Sequence, residues 1–240
     1  MVIPCYLAMT AAQYASCTAL PPCMGWMACH FSLHNNGLSN LPEQLPEASM
    51  LILDDSIPME NHSIDTILSQ LTDAVQRLDI GAVLLDFQRQ SIPQEKQLAS
   101  AIGASLSCPT AAPPEYAAKT MAVFLPPIPL NKPLKPCLSK FSGREIWLDA
   151  APVPCQFKIT AKGCHCESPC FAAPETLLHH DLQSHCHYSI QVSDTDVTFT
   201  LGRSKEDFSN WLQDAQGLGV TRVVGLYQEL AAYCNEKTAL

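Results

Sequence analysis

The sequence predicts an α/β fold: a (β/α)8 TIM-type barrel of somewhat irregular form, with a small antiparallel β insertion after strand seven. Three observations predict it. Eight short apolar runs, each long enough for one buried strand, end in polar or turn residues. Helical patterns separate several of these runs, and strands that alternate with crossover helices form parallel sheets. The 240 residues contain no obvious linker, so we expect one domain spanning 1–240.

The eight runs are expected to form the barrel strands in chain order. They are "VIPCYLAMT", "MGWMACHFS", "SMLILDDS", "GAVLLDFQ", "CPTAAPPEY", "MAVFLPPIP", "REIWLDAAP" and "RVVGLYQEL". The connections after the first, second and fifth runs are short or irregular, and the loop "GLSNLPEQLPEA" is broken by proline. The barrel should therefore depart from ideal geometry at these connections.

Three segments predict crossover helices. The clearest lies between the third and fourth runs, where Ser63 caps "SIDTILSQLTDAVQRLDI" and apolar residues recur at helical spacing. The second is "SIPQEKQLASAIGASLS", after the fourth run. The third, "SKEDFSNWLQDAQGLG", is opened by Ser204 with acidic residues in its first turn and is closed by Gly217 or Gly219.

Residues 151–203 are expected to form the β-rich insertion. "CQFKITAKG" and "YSIQVSDTDVTFTLG" alternate as antiparallel strands do, and the second turns at "SDTD". Zinc favours the cysteine and histidine ligands that crowd this segment. They are Cys164, Cys166, Cys170, His179, His180, His185, Cys186 and His187. Their spacing is not that of a Cys-x-x-Cys knuckle, so we interpret them as part of a surface loop and assign no metal ligand, while zinc binding by this segment stays open as the alternative.

Composition limits the partners. Charged residues make up 15% of the chain and the net charge is −9, so no basic surface for nucleic acid is expected. No run reaches ~18 apolar residues, which argues against a membrane span. The first residues lack a basic leader and are broken by Pro4, so we expect a cytoplasmic protein whose twelve cysteines are reduced. Nucleotide-binding and serine-hydrolase motifs are absent, and no cofactor is expected.

Polar residues mark one end of the predicted barrel. Side chains alternate along a strand, so in "AVLLDFQ" the apolar Val83, Leu85 and Phe87 should face the helices. Asp86 and Gln88 then face the mouth formed by the carboxyl ends of the strands, where barrel enzymes carry their chemistry.

The same alternation in the last two strands predicts more inward-facing groups. It sends Trp147 and Asp149 inward, and in the final run it sends Val224 and Leu226 outward and the two residues Tyr227 and Glu229 inward. The earlier strands add inward-facing groups or groups at strand ends. These are Tyr6, Thr10, Trp26, His30, Asp54, Asp55, Glu115 and Tyr116.

This pattern resembles the glycoside hydrolase family 18 superfamily, the chitinase-like barrels. The end of that family's fourth-strand motif, Gly-x-Asp-x-Asp-x-Glu, overlays residues 82–88, with Asp86 on a family aspartate. Gln88 stands where the family has its acid, and Leu84 stands at another carboxylate. "GLYQEL" is similar to the family's aromatic ending of the last strand, and the insertion after strand seven is similar to that of many members. The resemblance implies a carbohydrate-active barrel, although glutamine has no proton to donate to a leaving group.

Two functions remain in competition. The first is a divergent glycoside hydrolase that acts through Asp86, Asp149 and Glu229 on a glycan or muropeptide. The second is a sugar-binding barrel without catalysis, in which aromatic rings stack on the ligand and polar groups bind it. The residues expected to bind the ligand are Tyr6, Trp26, His30, Asp54, Asp55, Gln88, Glu115, Trp147 and Tyr227. Whether the protein is an enzyme, and its oligomeric state, are left open.

Overall fold

The computed structural model describes residues 3–34, 36–59, 62–89, 92–129, 132–150, 155–167 and 177–234. Fourteen strands lie in these ranges. They are β1 (Cys5–Met9), β2 (Met24–Phe31), β3 (Leu38–Ser39), β4 (Met50–Asp54), β5 (Ala82–Asp86), β6 (Thr110–Ala112), β7 (Ala122–Leu125), β8 (Ile146–Asp149), β9 (Cys155–Thr160), β10 (Gly163–Glu167), β11 (His179–Asp181), β12 (Cys186–Val192), β13 (Asp196–Gly202) and β14 (Val220–Leu226).

Eight of these strands close into a parallel barrel, as predicted. Going round the ring, they are β1, β2, β4, β5, β6, β7, β8 and β14, and β14 pairs with β1 to close it. Each of the eight predicted runs supplies one barrel strand. The two-residue β3 pairs antiparallel with the end of β2, inside the connection expected to be irregular.

Six α-helices lie in the described chain: α1 (Ala11–Ser16), α2 (Ile64–Arg77), α3 (Pro93–Ser105), α4 (Leu134–Leu138), α5 (Lys205–Gly217) and α6 (Tyr227–Leu230). The three predicted helices correspond to α2, α3 and α5. Ser63 caps α2 by accepting from the Thr66 amide, and Ser204 caps α5. No described helix is long and apolar enough to cross a membrane.

The barrel has an apolar interior and a separate outer layer beneath the helices. Met50, Ile52, Ala82 and Leu84 pack with the other inward-facing side chains inside the ring. Val83 and Leu85 on β5, and Phe87 directly after it, instead pack with residues of α2 and α3, which confirms the predicted alternation. Burying a large apolar side chain contributes roughly 1.5–3 kcal/mol, so one residue of register slip in this strand would be costly.

The predicted facing was wrong at two places. The pairing of β2 with β4 shifts register between Trp26 and Cys29, so the alternation changes parity along β2 and Trp26 packs in the outer layer. In β14, Val224 packs inside the ring and Val223 packs outside it. Two adjacent valines have the same hydrophobicity, so composition could not decide between them.

The insertion is a five-stranded antiparallel sheet in the order β10-β9-β13-β12-β11. The hairpin of β12 and β13 turns at Ser193–Asp196, as predicted. Part of the segment expected to be a loop instead forms β10 and β11, the two edge strands. The buried Arg203 holds the loop between β11 and β12 by donating to the carbonyls of Ser184 and His185 at 3.0 and 3.1 Å.

Candidate functional site

Three strands place a carboxylate at the same rim of the barrel. Asp54, Asp86 and Asp149 are the last residues of β4, β5 and β8. Each follows, two residues later, a side chain of the interior cluster, so each continues the inward-facing row of its strand. Asp54 and Asp86 are direct partners in the register of β4 with β5. The barrel mouth therefore carries an acidic rim.

A cavity of about 490 Å³ opens at this rim. Asp86, Gln88, Glu115 and Asp149 supply its polar groups, and the Phe124 ring supplies an apolar face. The other lining residues are Phe87, Pro113, Pro114, Pro126 and Pro127. The cavity has the size of a small-molecule site, and its lining contains no lysine or arginine.

Two carboxyl groups of this rim, those of Asp86 and Asp149, have raised pKa values. Burial, and then the charges of Asp86 and Glu229, raise the pKa of Asp149 to about 7. Burial also raises the pKa of Asp86, to which the charges of Asp54 and Asp55 contribute, while the Gln88 hydrogen bond acts in the opposite direction. Near neutral pH the Asp149 carboxyl group is therefore present in both its protonated and its ionised form.

Gln88 is positioned by two hydrogen bonds to Asp86. Its Nε2 donates to both Asp86 carboxylate oxygens at 3.1 Å. The backbone amides of Gln88 and Arg89 donate to the buried Asp55 carboxylate at 3.0 and 2.8 Å, which fixes the loop after β5. Asp55 was expected to bind the ligand, but in the structure both of its oxygens accept loop amides.

The remaining predicted polar residues reach the rim in different ways. Glu229 lies on α6 rather than on a strand, and its charge acts on Asp149. Glu115 lines the cavity. His30 is the register partner of Asp54, and its ring nitrogens lie 2.8 Å from the Phe31 carbonyl and 3.0 Å from the Asn40 amide nitrogen.

The aromatic residues expected to stack on a ligand lie elsewhere. The Trp26 indole donates to the Asn40 carbonyl at 2.9 Å and packs edge-on against Tyr14. Trp147 does face inward, but it is fully buried, and its indole donates to Glu145 at 2.9 Å.

The two tyrosines are also displaced from the cavity lining. Tyr6 is buried inside the barrel, and this burial raises its pKa, while the nearby Arg222 acts in the opposite direction. The Tyr227 hydroxyl lies 3.8 Å from the Cys17 sulfur, over a separate hollow beside α1. The aromatic face of the cavity is instead Phe124, which sequence reasoning missed. The double prolines after β6 and β7 were the available signal, because they follow barrel strands at the mouth.

Comparisons with known proteins identify the fold. No family model and no curated protein matches the sequence. Among solved structures, the spore cortex-lytic enzyme SleL of Bacillus cereus matches with a TM-score of 0.62 at 9% identity, over 93% of this chain and 70% of that one. The chitinase-like agglutinin RobpsCRA of Robinia pseudoacacia matches with a TM-score of 0.61 at 11% identity, over 98% of each chain. The chain shares a TIM-barrel fold with both structures.

A third structure with this barrel fold is a chitinase from Chromobacterium violaceum. It matches with a TM-score of 0.55 at 9% identity, over 93% of each chain. The shared barrel fold therefore accounts for nearly the whole chain. At these identities the likeness concerns the fold, and the chemistry depends on the residues at the mouth.

Proposed function

We propose that this protein is a carbohydrate-active barrel that cleaves a glycosidic bond in the mouth cavity, with Asp149 as proton donor and Asp86 as its partner carboxylate. The observation that carries the proposal is the Asp149 pKa of about 7, in a cavity that Asp86 also lines. Most glycoside hydrolases use such a pair: one carboxyl group kept protonated by its surroundings and one that is ionised.

The cavity favours a neutral, hydroxyl-rich ligand. An acidic rim, with no cationic side chain in the cavity lining, repels phosphates and carboxylates. Carboxylate and amide oxygens accept hydrogen bonds from sugar hydroxyls. Phe124 and the prolines offer apolar surface to the carbon faces of a sugar ring. Fold analogy with chitinases and a cortex-lytic enzyme makes an amino-sugar polymer the first substrate class to test.

The reaction would begin at Asp149. Its carboxyl group donates a proton to the glycosidic oxygen while the bond from that oxygen to the anomeric carbon breaks. The Asp86 carboxylate stabilises the positive charge that develops on the sugar ring. Water then adds to the anomeric carbon, and its proton restores the Asp149 carboxyl. Gln88 donates hydrogen bonds to both carboxylate oxygens of Asp86 and transfers no proton in the reaction.

A panel of chitooligosaccharides, muropeptides and other glycans, followed by mass spectrometry, tests the hydrolase proposal. The wild type should release product from at least one class, and Asp149→Asn should not. Asp73→Asn is the matched control, because it removes an exposed carboxylate on α2. Wild-type protein that releases no product from any member of the panel would contradict hydrolysis.

One observation favours a second candidate, a sugar-binding protein without catalysis. The Gln88 amide occupies both oxygens of Asp86, which leaves that carboxylate less available to the reacting centre. Saturable binding of a glycan that survives long incubation intact would support this candidate. Under the hydrolase proposal, Asp149→Asn should instead retain binding and lose product formation.

A further inference from the structure

Three potential metal ligands meet where the insertion contacts α5. The Nε2 atom of His180 lies 2.7 Å from Oδ1 of Asp207, and the Nε2 atom of His187 lies 3.1 Å from Oδ2. One donor atom from each of the three residues lies within 4.8 Å of the other two. The two imidazoles stack with their centroids 4.4 Å apart.

The fold brings these side chains together from three elements. His180 on β11 and His187 on β12 are direct cross-strand partners, so both rings project from the same face of the sheet. Asp207 lies in the first turn of α5, where its Oδ2 accepts from the Ser204 amide at 3.0 Å and from the Ser204 hydroxyl at 2.7 Å. The carboxylate is therefore oriented before any ligand arrives.

The chemistry of this set suits a divalent transition metal. Zinc is commonly held by imidazole nitrogens and carboxylate oxygens, with water in an open position. Asp207 is buried, and each of its carboxylate oxygens faces one of the two imidazole rings. His180 is exposed and His187 is half-buried, which leaves the site accessible from solvent.

The two exposed cysteines of the insertion lie apart from this cluster. Cys164 and Cys166 are exposed on β10, at the opposite edge of the sheet from β11. Cys186 is buried, and His185 pairs with Asp214 at 2.8 Å. Cys170 lies outside the described residues.

We propose that His180, His187 and Asp207 bind one zinc ion, which cross-links the insertion sheet to the start of α5. The competing explanation is a metal-free clamp in which the two histidines only hydrogen-bond to Asp207. The two explanations predict different behaviour when metal is added to the stripped protein.

The test uses full-length protein without a histidine tag, stripped with a chelator and titrated with Zn²⁺ by calorimetry. One equivalent should bind with a Kd in the micromolar range or tighter. A His180→Ala/His187→Ala variant should bind at least 100-fold more weakly, or not at all. Two controls should match the wild type: His179→Ala, the neighbouring histidine on β11, and Cys164→Ser/Cys166→Ser, the exposed thiols. Absence of binding by the wild type, or retention of tight binding by the double-histidine variant, overturns the proposal.

A spectroscopic readout on the wild type avoids dependence on how the variants fold. Co²⁺ substituted at the site should show visible d–d bands typical of nitrogen and oxygen ligands. An intense thiolate-to-cobalt charge-transfer band, or loss of binding in the Cys164→Ser/Cys166→Ser variant, would place the metal on the cysteines and contradict this site.

Discussion

Asp149 at the barrel mouth and Asp207 beside the insertion are both shielded from solvent, yet their pKa values shift in opposite directions. Around Asp149, burial is reinforced by the negative charges of Asp86 and Glu229, and the pKa rises to about 7. Around Asp207, burial is outweighed by hydrogen bonds from Ser204 and His180 and by the charge of His187, and the pKa falls. Burial alone therefore does not identify a reactive carboxyl group. The neighbouring charges and hydrogen-bond donors decide whether its pKa rises, so that it keeps a proton, or falls, so that it stays ionised.

The largest effect is expected from removing the proton that Asp149 holds. Asp149→Asn cannot act as an acid, so we expect turnover of a glycan substrate to fall by about 10²- to 10⁴-fold, the usual contribution of general acid catalysis. Steady-state kinetics on the substrate found by the glycan panel would measure this loss. Asp207→Asn, at the other carboxylate of the comparison, should keep turnover within a few-fold of the wild type. Equal losses in both variants would mean that Asp149 has no special role.

The second effect concerns stability and pH. The raised pKa of Asp149 means that the unfolded chain ionises this group first as pH rises from about 4 to 7, so the native state is progressively disfavoured. The penalty is on the order of 4 kcal/mol above pH 7 and is absent at acidic pH. Relative to wild type, Asp149→Asn should therefore gain stability between pH 4 and pH 7 and level off above it.

Urea denaturation at several pH values measures this gain. The exposed Asp73→Asn provides the baseline, because its carboxylate is largely solvated. A stability difference between Asp149→Asn and wild type that does not change with pH would show that the pKa of Asp149 is the same in the folded and the unfolded protein.

The third effect concerns Asp207, whose pKa is lowered where that of Asp149 is raised. Its lowered pKa contributes stability at neutral pH that is lost as pH falls through the folded-state pKa. Ser204→Ala removes the hydroxyl that caps α5 by accepting from the Asp207 amide and that donates to the Asp207 carboxylate, while the backbone bond from the residue-204 amide stays. It should therefore destabilise the protein by about 1 kcal/mol and flatten this acid-dependent loss. Ser63→Ala, which removes the cap of α2, should show a similar loss without the change in pH dependence.

The smallest effect is expected at Gln88. Its amide lowers the pKa of Asp86 by hydrogen bonding to both carboxylate oxygens. Gln88→Ala should therefore move the acidic limb of the pH–rate profile to higher pH without abolishing turnover. An unchanged limb would mean that Asp86 does not need to be ionised for the reaction.

Much of the architecture was predictable because the apolar composition of each run indicates by itself that the run forms a buried strand. The eight apolar runs and the 3.6-residue repeat of α2 are local signals, and the structure confirms the barrel built from them. Asp86 and Asp149 were placed at the mouth from alternation along short, regular strands. Alternation failed at Trp26, where a register shift intervenes, and at Val224, which has a valine neighbour.

Other features could not be predicted from one segment, because they depend on the position of several elements in the fold. Phe124 was missed because strand alternation was applied to the first, second, fourth, seventh and eighth runs but not to the sixth, which forms β7. His180 and His187 were among the candidate zinc ligands, whereas Asp207, which completes their cluster, lies on a different element and was not. Glu229 reached the rim through the turn of α6, not through the strand alternation used to predict it.

Direct titration of the aspartate carboxyls by ¹³C NMR tests the central claim, which is that the barrel mouth holds a carboxyl group protonated near neutral pH. Wild-type protein should show one aspartate resonance that titrates around pH 7 and is missing from the Asp149→Asn spectrum. A wild-type spectrum in which every aspartate has already ionised by about pH 5 would remove the proton donor on which the proposed chemistry rests.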